Sequence, residues 1–158
     1  MTAVIRGARP GDTALIHSLI RELAEYERLL HGVVATDALV AEALFGPNPR
    51  VFCDIAEWDG APAGFALWFY TYSTFLARHG IYLEDLYVRP EFRGRGLGKG
   101  LMLNLAKRAV AEGCARMQWS VLDWNKPSID FYQSLGARPI GDWTVYRLDG
   151  EALRKAGS

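Results

Sequence analysis

Apolar residues recur at three- and four-residue steps through Leu15, Ile16, Leu19, Ile20 and Leu23, the spacing that lines one face of a helix. Asp12, in the turn Arg9-Pro10-Gly11-Asp12, stands where it can cap that helix, and the pattern carries it to about Arg28. A second, shorter helix begins at Thr36 with Leu39, Val40, Ala43 and Leu44, and is stopped by Gly46-Pro47 and Pro49. The period then changes to two. Val51 to Trp58 alternates as a strand, Asp59-Gly60 is a strong hairpin signal, and Ala63 to Tyr72 returns as an apolar strand. Ala3 to Arg6 reads as a short strand ahead of the first helix. Gly80 to Val88 is a further strand, closed by Arg89-Pro90 because proline cannot donate to a ladder.

Helical spacing resumes from Gly98 to Glu112, where Leu101, Met102, Leu105, Ala106 and Ala109 form one stripe and Gly113 supplies a stop. Ala115 to Val121 reads as a strand and Asn125 to Leu135 as a short helix with Gly136 just past its end. Two strands, Ala137 to Ile140 and Thr144 to Asp149, complete the chain. The order β-α-α-β-β-β-α-β-α-β-β predicts an α+β fold with a mixed sheet. With no repeat and no compositional break, residues 1–158 are expected to form one domain.

Half of the 158 residues are apolar, enough for a core that needs no staples. Eighteen Lys plus Arg balance 18 Asp plus Glu, so neither nucleic acid nor an anionic membrane is an expected partner, and any electrostatic function is local. Cys53 and Cys114 lie apart in apolar segments, and His17, His31 and His79 are scattered; no metal is expected. The thiols read as buried in a reducing compartment. Met1 to Arg9 has no apolar run of a signal peptide, which points to the cytoplasm. Gly60 to Ala77 is free of charge, but Pro62, Gly64 and the Thr-Tyr-Ser run favour a buried strand over a membrane span.

Chemistry concentrates in three places. Arg93-Gly94-Arg95-Gly96-Leu97-Gly98-Lys99-Gly100 lies between a strand and a helix. It fits neither G-x-G-x-x-G, which needs glycine at Lys99, nor G-x-x-x-x-G-K-[ST], which needs one at Arg93. A flexible basic loop would show the same composition. Its position at a helix start favours an anion cradle, with Arg89, Arg93, Arg95 and Lys99 adding positive charge. Glu84 and Asp85 are adjacent in an apolar strand, so one of them must face inward or into a cleft. Either both reach water or a salt bridge at a strand end, or a desolvated carboxylate stands ready as a base for an amine. Asn125 caps a helix on which Tyr132 shares a face with Ile129 and Leu135. That tyrosine is either a core residue or a proton donor, and spacing does not choose.

The run from Tyr82 to Tyr132 resembles the GCN5-related N-acetyltransferase (GNAT) superfamily. Arg93 to Gly98 fits its R-x-x-G-x-G loop, and Asn125, Ser128, Tyr132 and Gly136 fit N-x-x-[AS]-x-x-x-Y-x-x-x-G. Glu22 to Glu27, Tyr82 to Asp85 and Val121 to Asn125 look like its diamine (spermidine/spermine) acetyltransferase branch, and Tyr72-Ser73-Thr74 looks like the thialysine-acetylating members. The resemblance implies a mixed, mostly antiparallel central sheet flanked by helices, and an enzyme acetylating a primary amine of a small molecule from acetyl-coenzyme A, by direct transfer in a ternary complex.

It further implies that Leu86, Tyr87 and Val88 bind the acetyl-pantetheine arm through their backbones. Arg93, Gly94, Arg95, Gly96, Leu97, Gly98 and Lys99 would hold the pyrophosphate, and Asn125, Lys126, Pro127 and Ser128 would touch the coenzyme. Tyr132 would be the general acid and Glu84 the base, acting through water, with Tyr26, Glu27, Glu84 and Ser73 lining the amine site. Ser73, where polyamine enzymes would carry an acid, favours a thialysine-like amine. A homodimer is expected on the same resemblance. Two other classes compete: a noncatalytic acyl-coenzyme A sensor, which would not need Tyr132 and the Glu84-Asp85 pair, and a small RNA-binding domain, disfavoured by the neutral charge.

Overall fold

A computed structural model describes residues 1–158 and divides by packing into two compact units, Met1–Ser120 and Val121–Ser158. The first unit contains strands β1 (Ala3–Gly7), β2 (Phe52–Trp58), β3 (Ala61–Ser73), β4 (Arg78–Val88) and β5 (Met117–Gln118). Its helices are α1 (Thr13–Tyr26), α2 (Asp37–Phe45) and α3 (Leu97–Ala111). The strands form one five-stranded sheet in the order β1-β2-β3-β4-β5. All neighbours are antiparallel except β4 and β5, which run parallel. No helix is long and apolar enough to cross a membrane.

The apolar spacing accounts for both faces of that sheet. Ile16, Leu19 and Leu23 of α1 and Val40 and Leu44 of α2 pack on Cys53, Ile55, Phe65 and Tyr87. On the opposite face, the stripe of α3 buries Leu101, Met102, Leu105 and Ala109. Asp59 (φ +49°) and Gly60 (φ +82°) form the expected turn between β2 and β3, both in the left-handed region that a tight hairpin requires. Thr36 caps α2 by accepting from Leu39 N at 3.2 Å.

Asp12 stands at the start of α1 but does not cap it through its side chain. Its carboxylate turns to β1, accepting the Arg6 fork at 2.8 and 3.0 Å and Arg9 N at 2.7 Å. The two-pronged pairing with the guanidinium, joined by the Arg9 amide, engages both oxygens away from the α1 amides. Helix α1 ends at Tyr26, short of the expected Arg28, which takes a positive φ of +62°.

The second unit holds helices α4 (Lys126–Ser134) and α5 (Gly150–Ala156). Asn125 Oδ1 accepts from Ser128 N at 3.3 Å and so begins α4. The strands expected at 137–140 and 144–149 do not form, and the strand expected over 115–121 shrinks to β5. Alternation favours a strand only where a partner accepts its ladder. Here Trp143, Val145 and Tyr146 stay exposed, with no strand paired to them. Helix α5 was not expected; Glu151 in its first turn and Arg154 and Lys155 in its last match the helix dipole.

Candidate active site

Strand β4 positions the acidic residues through a break in its pairing. Trp68 lies opposite Leu83 and Leu67 opposite Asp85, so Glu84 is skipped as the extra residue of a β-bulge. The skip decides which acid faces inward. Asp85 points with Leu67, Cys53 and Tyr87 toward the α1/α2 face, and Glu84 is exposed at the bulge. Burial pushes the Asp85 carboxyl up to about 7, and the nearby charges of Glu84 and Glu27 add to the rise. Glu27, one residue beyond α1, is also raised, first by burial and then by Glu84. None of the three forms an ion pair with a basic side chain. They make a concentrated negative site whose electrostatic cost a bound cation would relieve.

Past Tyr82, β4 loses its neighbour on one side, because β5 pairs with it only at Ile81 and Tyr82. The segment Leu86 to Val88 therefore has β3 on one edge and no strand on the other. It leads directly into the glycine loop. Gly94 and Gly96 both have φ +78°, and nothing lies within 4 Å of where a Cβ would sit on either. The left-handed backbone, not crowding, explains glycine there. Gly96 is the N-cap of α3, so the first amides of that helix and the positive end of its dipole face the loop, with no acidic residue in the first turn. This geometry fits an anionic phosphate group.

The basic residues divide their tasks differently from a simple phosphate clamp. Arg89 forks onto Glu22, with Nη2 at 2.9 Å from Oε2, and also donates to Pro62 O at 3.1 Å. Arg93 donates to Val88 O at 2.9 Å and stacks over Tyr26 and Tyr87. Arg95 lies over Trp58 and Phe92, 5.0 and 5.6 Å from the ring centroids. Lys99 is exposed and enters none of these contacts. Arg89, Arg93 and Arg95 are thus engaged within the chain, while the amides at the start of α3 and the Lys99 side chain are open to the loop.

At the far end of β3, Ser73 Oγ accepts from Leu76 N at 3.2 Å and closes the turn into β4. Within the second unit, α4 carries Asn125 at its cap, Ser128 in its first turn and Tyr132, whose ring lies 5.5 Å from that of Phe131. Lys126 Nζ is engaged by Asp130 at 2.9 Å, and Pro127 occupies the first turn, where no amide is needed. Leu97 and Gly98 form the start of α3, with Leu97 buried. Sequence reasoning singled out the Glu84–Asp85 pair and gave the base to Glu84 without fixing which acid faces inward, since two adjacent acids carry no sign of a bulge that selects between them.

Residues 14–137 match the model of the acetyltransferase (GNAT) family. The chain is 42% identical over 166 residues to a thialysine N-epsilon-acetyltransferase of Sus scrofa, covering 98% of this chain and 96% of that protein. It is 34% identical over 199 residues to an L-ornithine N5-acetyltransferase of Arabidopsis thaliana, covering 98% and 87% respectively. Among solved structures, an integron cassette protein from the mobile metagenome of V.cholerae is similar at a TM-score of 0.83 and 26% identity, over 99% of this chain and 98% of that one. A ribosomal-protein-alanine N-acetyltransferase of Brucella melitensis shares the fold at a TM-score of 0.74 and 17% identity, over 94% of this chain and 100% of that one.

Proposed function

Because the chain belongs to the GNAT family of acetyltransferases, we propose that it acetylates the side-chain amine of a small, amino-acid-like substrate such as thialysine or ornithine, with acetyl-coenzyme A as donor. The observation that carries this reading is the juxtaposition on β4 of an inward carboxylate site without a basic partner and, a few residues on, an anion cradle at the start of α3. The names of the relatives support the choice of amine. Residues 1–158 serve as one domain, a reading supported by a family match over 14–137 that takes in part of each unit.

An alkylamine with a pKa of about 10 is protonated at neutral pH, so a base must take a proton before nitrogen attacks. Glu84 takes it through water, while Asp85 and Glu27 attract and hold the cation. Acetyl-coenzyme A supplies the acetyl group as an activated thioester. The amides at Gly94 to Lys99 and the start of α3 hold its pyrophosphate, with Arg93 and Arg95 shaping the loop. The backbones of Leu86, Tyr87 and Val88 hold the pantetheine arm, and Asn125 to Ser128 touch the coenzyme. Tyr132 gives its hydroxyl proton to the departing sulfur. Tyr26 borders the amine site, whereas Ser73, six residues along β3 from the Leu67–Asp85 pair, lies away from it within one chain; holding both reactants together removes the need for a covalent enzyme intermediate. The enzyme acts as a cytoplasmic homodimer, a symmetric state common among soluble oligomers.

Thiol release from acetyl-coenzyme A tests this, measured over thialysine, ornithine, lysine, putrescine and spermidine. The amino acids are expected to show the higher kcat/KM. A clear preference for spermidine overturns the substrate assignment, and no thiol release with any amine overturns the enzyme reading at this site.

A further inference from the structure

Arg93 opens the glycine loop, and its exposed guanidinium is engaged within the chain. Its Nε donates to Val88 O across 2.9 Å. Its Cζ stands 5.3 Å from the centroid of the Tyr26 ring and 5.6 Å from that of Tyr87. Tyr26 is the last residue of α1, immediately before Glu27. Tyr87 is buried in β4, two residues beyond Asp85. A single cation thus joins the anion cradle, the strand of the inward carboxylate and the helix end that carries Glu27. A planar guanidinium suits this post, since it can lie on aromatic faces while its edge donates a hydrogen bond.

We infer that Arg93 is a positioning residue that couples the two halves of the site: through Tyr26 it makes the seat of the amine depend on how the glycine loop is held. Coenzyme bound at Gly94 to Lys99 fixes the loop, the loop fixes Arg93, and the stacked Tyr26 fixes the adjoining Glu27. The amine then binds more tightly to the coenzyme complex than to the free enzyme, and linkage requires the converse by the same factor. This rests on the placement of the coenzyme and amine given above.

Calorimetry measures it on the full chain: the affinity for coenzyme A, and the affinity for thialysine with and without saturating coenzyme A. The wild type is expected to bind thialysine about five- to thirtyfold more tightly with coenzyme A present, within the usual range of coupling between two sites. Arg93→Gln should bring that ratio close to one and raise the thialysine KM by a similar factor, a larger change than in kcat or in coenzyme affinity. Arg93→Lys keeps the charge but not the planar fork, and should recover only part of the ratio. Tyr26→Phe keeps the ring and the ratio, whereas Tyr26→Leu loses it. The Arg93→Gln/Tyr26→Leu double variant should be no worse in ratio than either single change. If Arg93→Gln does not fold, judged by circular dichroism, the two Tyr26 variants carry the same comparison. A ratio near one in a wild type that binds both ligands overturns the coupling. So does an Arg93→Gln that keeps the ratio but loses coenzyme affinity about tenfold, with Arg93→Lys restoring it, because Arg93 is then a phosphate ligand. A wild type that binds neither coenzyme A nor thialysine overturns the placement of the site itself, and the coupling with it.

Discussion

Trp68 Nε1 donates to Asp54 Oδ2 across 3.0 Å at a point on the sheet where the two residues are only 2% and 4% exposed. Arg108 of α3 covers the same indole, its Cζ 5.1 Å from the ring centroid. Burial pushes the Asp54 carboxyl up, and the Trp68 hydrogen bond and the Arg108 charge pull it back down. The pair ties β2 to β3 beneath the Arg108 end of α3.

Trp68→Phe keeps a ring but removes the donor, leaving a buried carboxylate without its hydrogen bond. A loss of about 1–3 kcal/mol of stability is expected. The loss should grow as pH rises, because the indole stabilises the charged form that dominates there. Urea unfolding at pH 5 and pH 8 checks this. Equal losses at both pH values would mean that the hydrogen bond does little for the carboxylate.

The glycines of the loop are not equivalent. Gly96→Ala must place a Cβ on a backbone of φ +78°, at a cost of about 1–2 kcal/mol, and the displaced loop should weaken coenzyme binding about tenfold or more. Gly98 lies inside α3 without a positive φ, and its Cβ would meet only Val88 Cγ2 at 3.8 Å. Gly98→Ala should therefore stabilise the fold by about 0.5–1 kcal/mol. Thermal melts of the two variants should move in opposite directions. A matched fall in both would place the constraint in helix packing instead of backbone conformation.

Hydrophobic spacing made α1, α2, β2, β3, β4 and α3 legible, because each buries one stripe or alternate face against a neighbour named by its own period. The turn at Asp59-Gly60 was equally open to reading. The bulge was not. Alternation shows that Glu84 and Asp85 diverge, but which faces inward depends on how Leu67 and Trp68 pair across β3. The ring contacts of Arg93 and Arg95 were hidden for a similar reason: their aromatic partners Tyr26 and Trp58 come from remote parts of the chain. In the last stretch, the alternation over 144–149 reads as strand although no neighbouring strand receives it. The charges at Glu151, Arg154 and Lys155 suit the ends of α5, but so short a helix left no apolar period to read.

Tyr132→Phe separates a proton donor from a packing ring. The ring beside Phe131 stays in place, so coenzyme affinity should change little. If the hydroxyl protonates the departing sulfur, kcat should fall by roughly a hundredfold or more. Single-turnover acetylation across pH measures the chemical step directly. A variant that matches the wild type in that step assigns Tyr132 to packing alone.

Asp85 yields a prediction about stability and ligand together. Its carboxyl lies at about 7, well above the ordinary 3.8, through burial and then through Glu84 and Glu27. The native state therefore binds this proton more tightly than the unfolded chain, and the stability so gained is complete below about pH 4 and lost as pH rises through about 7. Asp85→Asn removes the titration. It should be more stable than the wild type at pH 8, by up to about 4 kcal/mol, with a flatter profile between pH 4 and pH 8. Some slope remains, since Glu27 is raised as well. A cationic amine stabilises the charged carboxylate, so thialysine should raise the wild-type melting temperature more at pH 8 than at pH 5. In Asp85→Asn that difference should shrink and the thialysine KM should rise. Two results count against Asp85 as part of the amine site: a pH-stability profile unchanged by the substitution, or a thialysine shift that is the same in both proteins at both pH values.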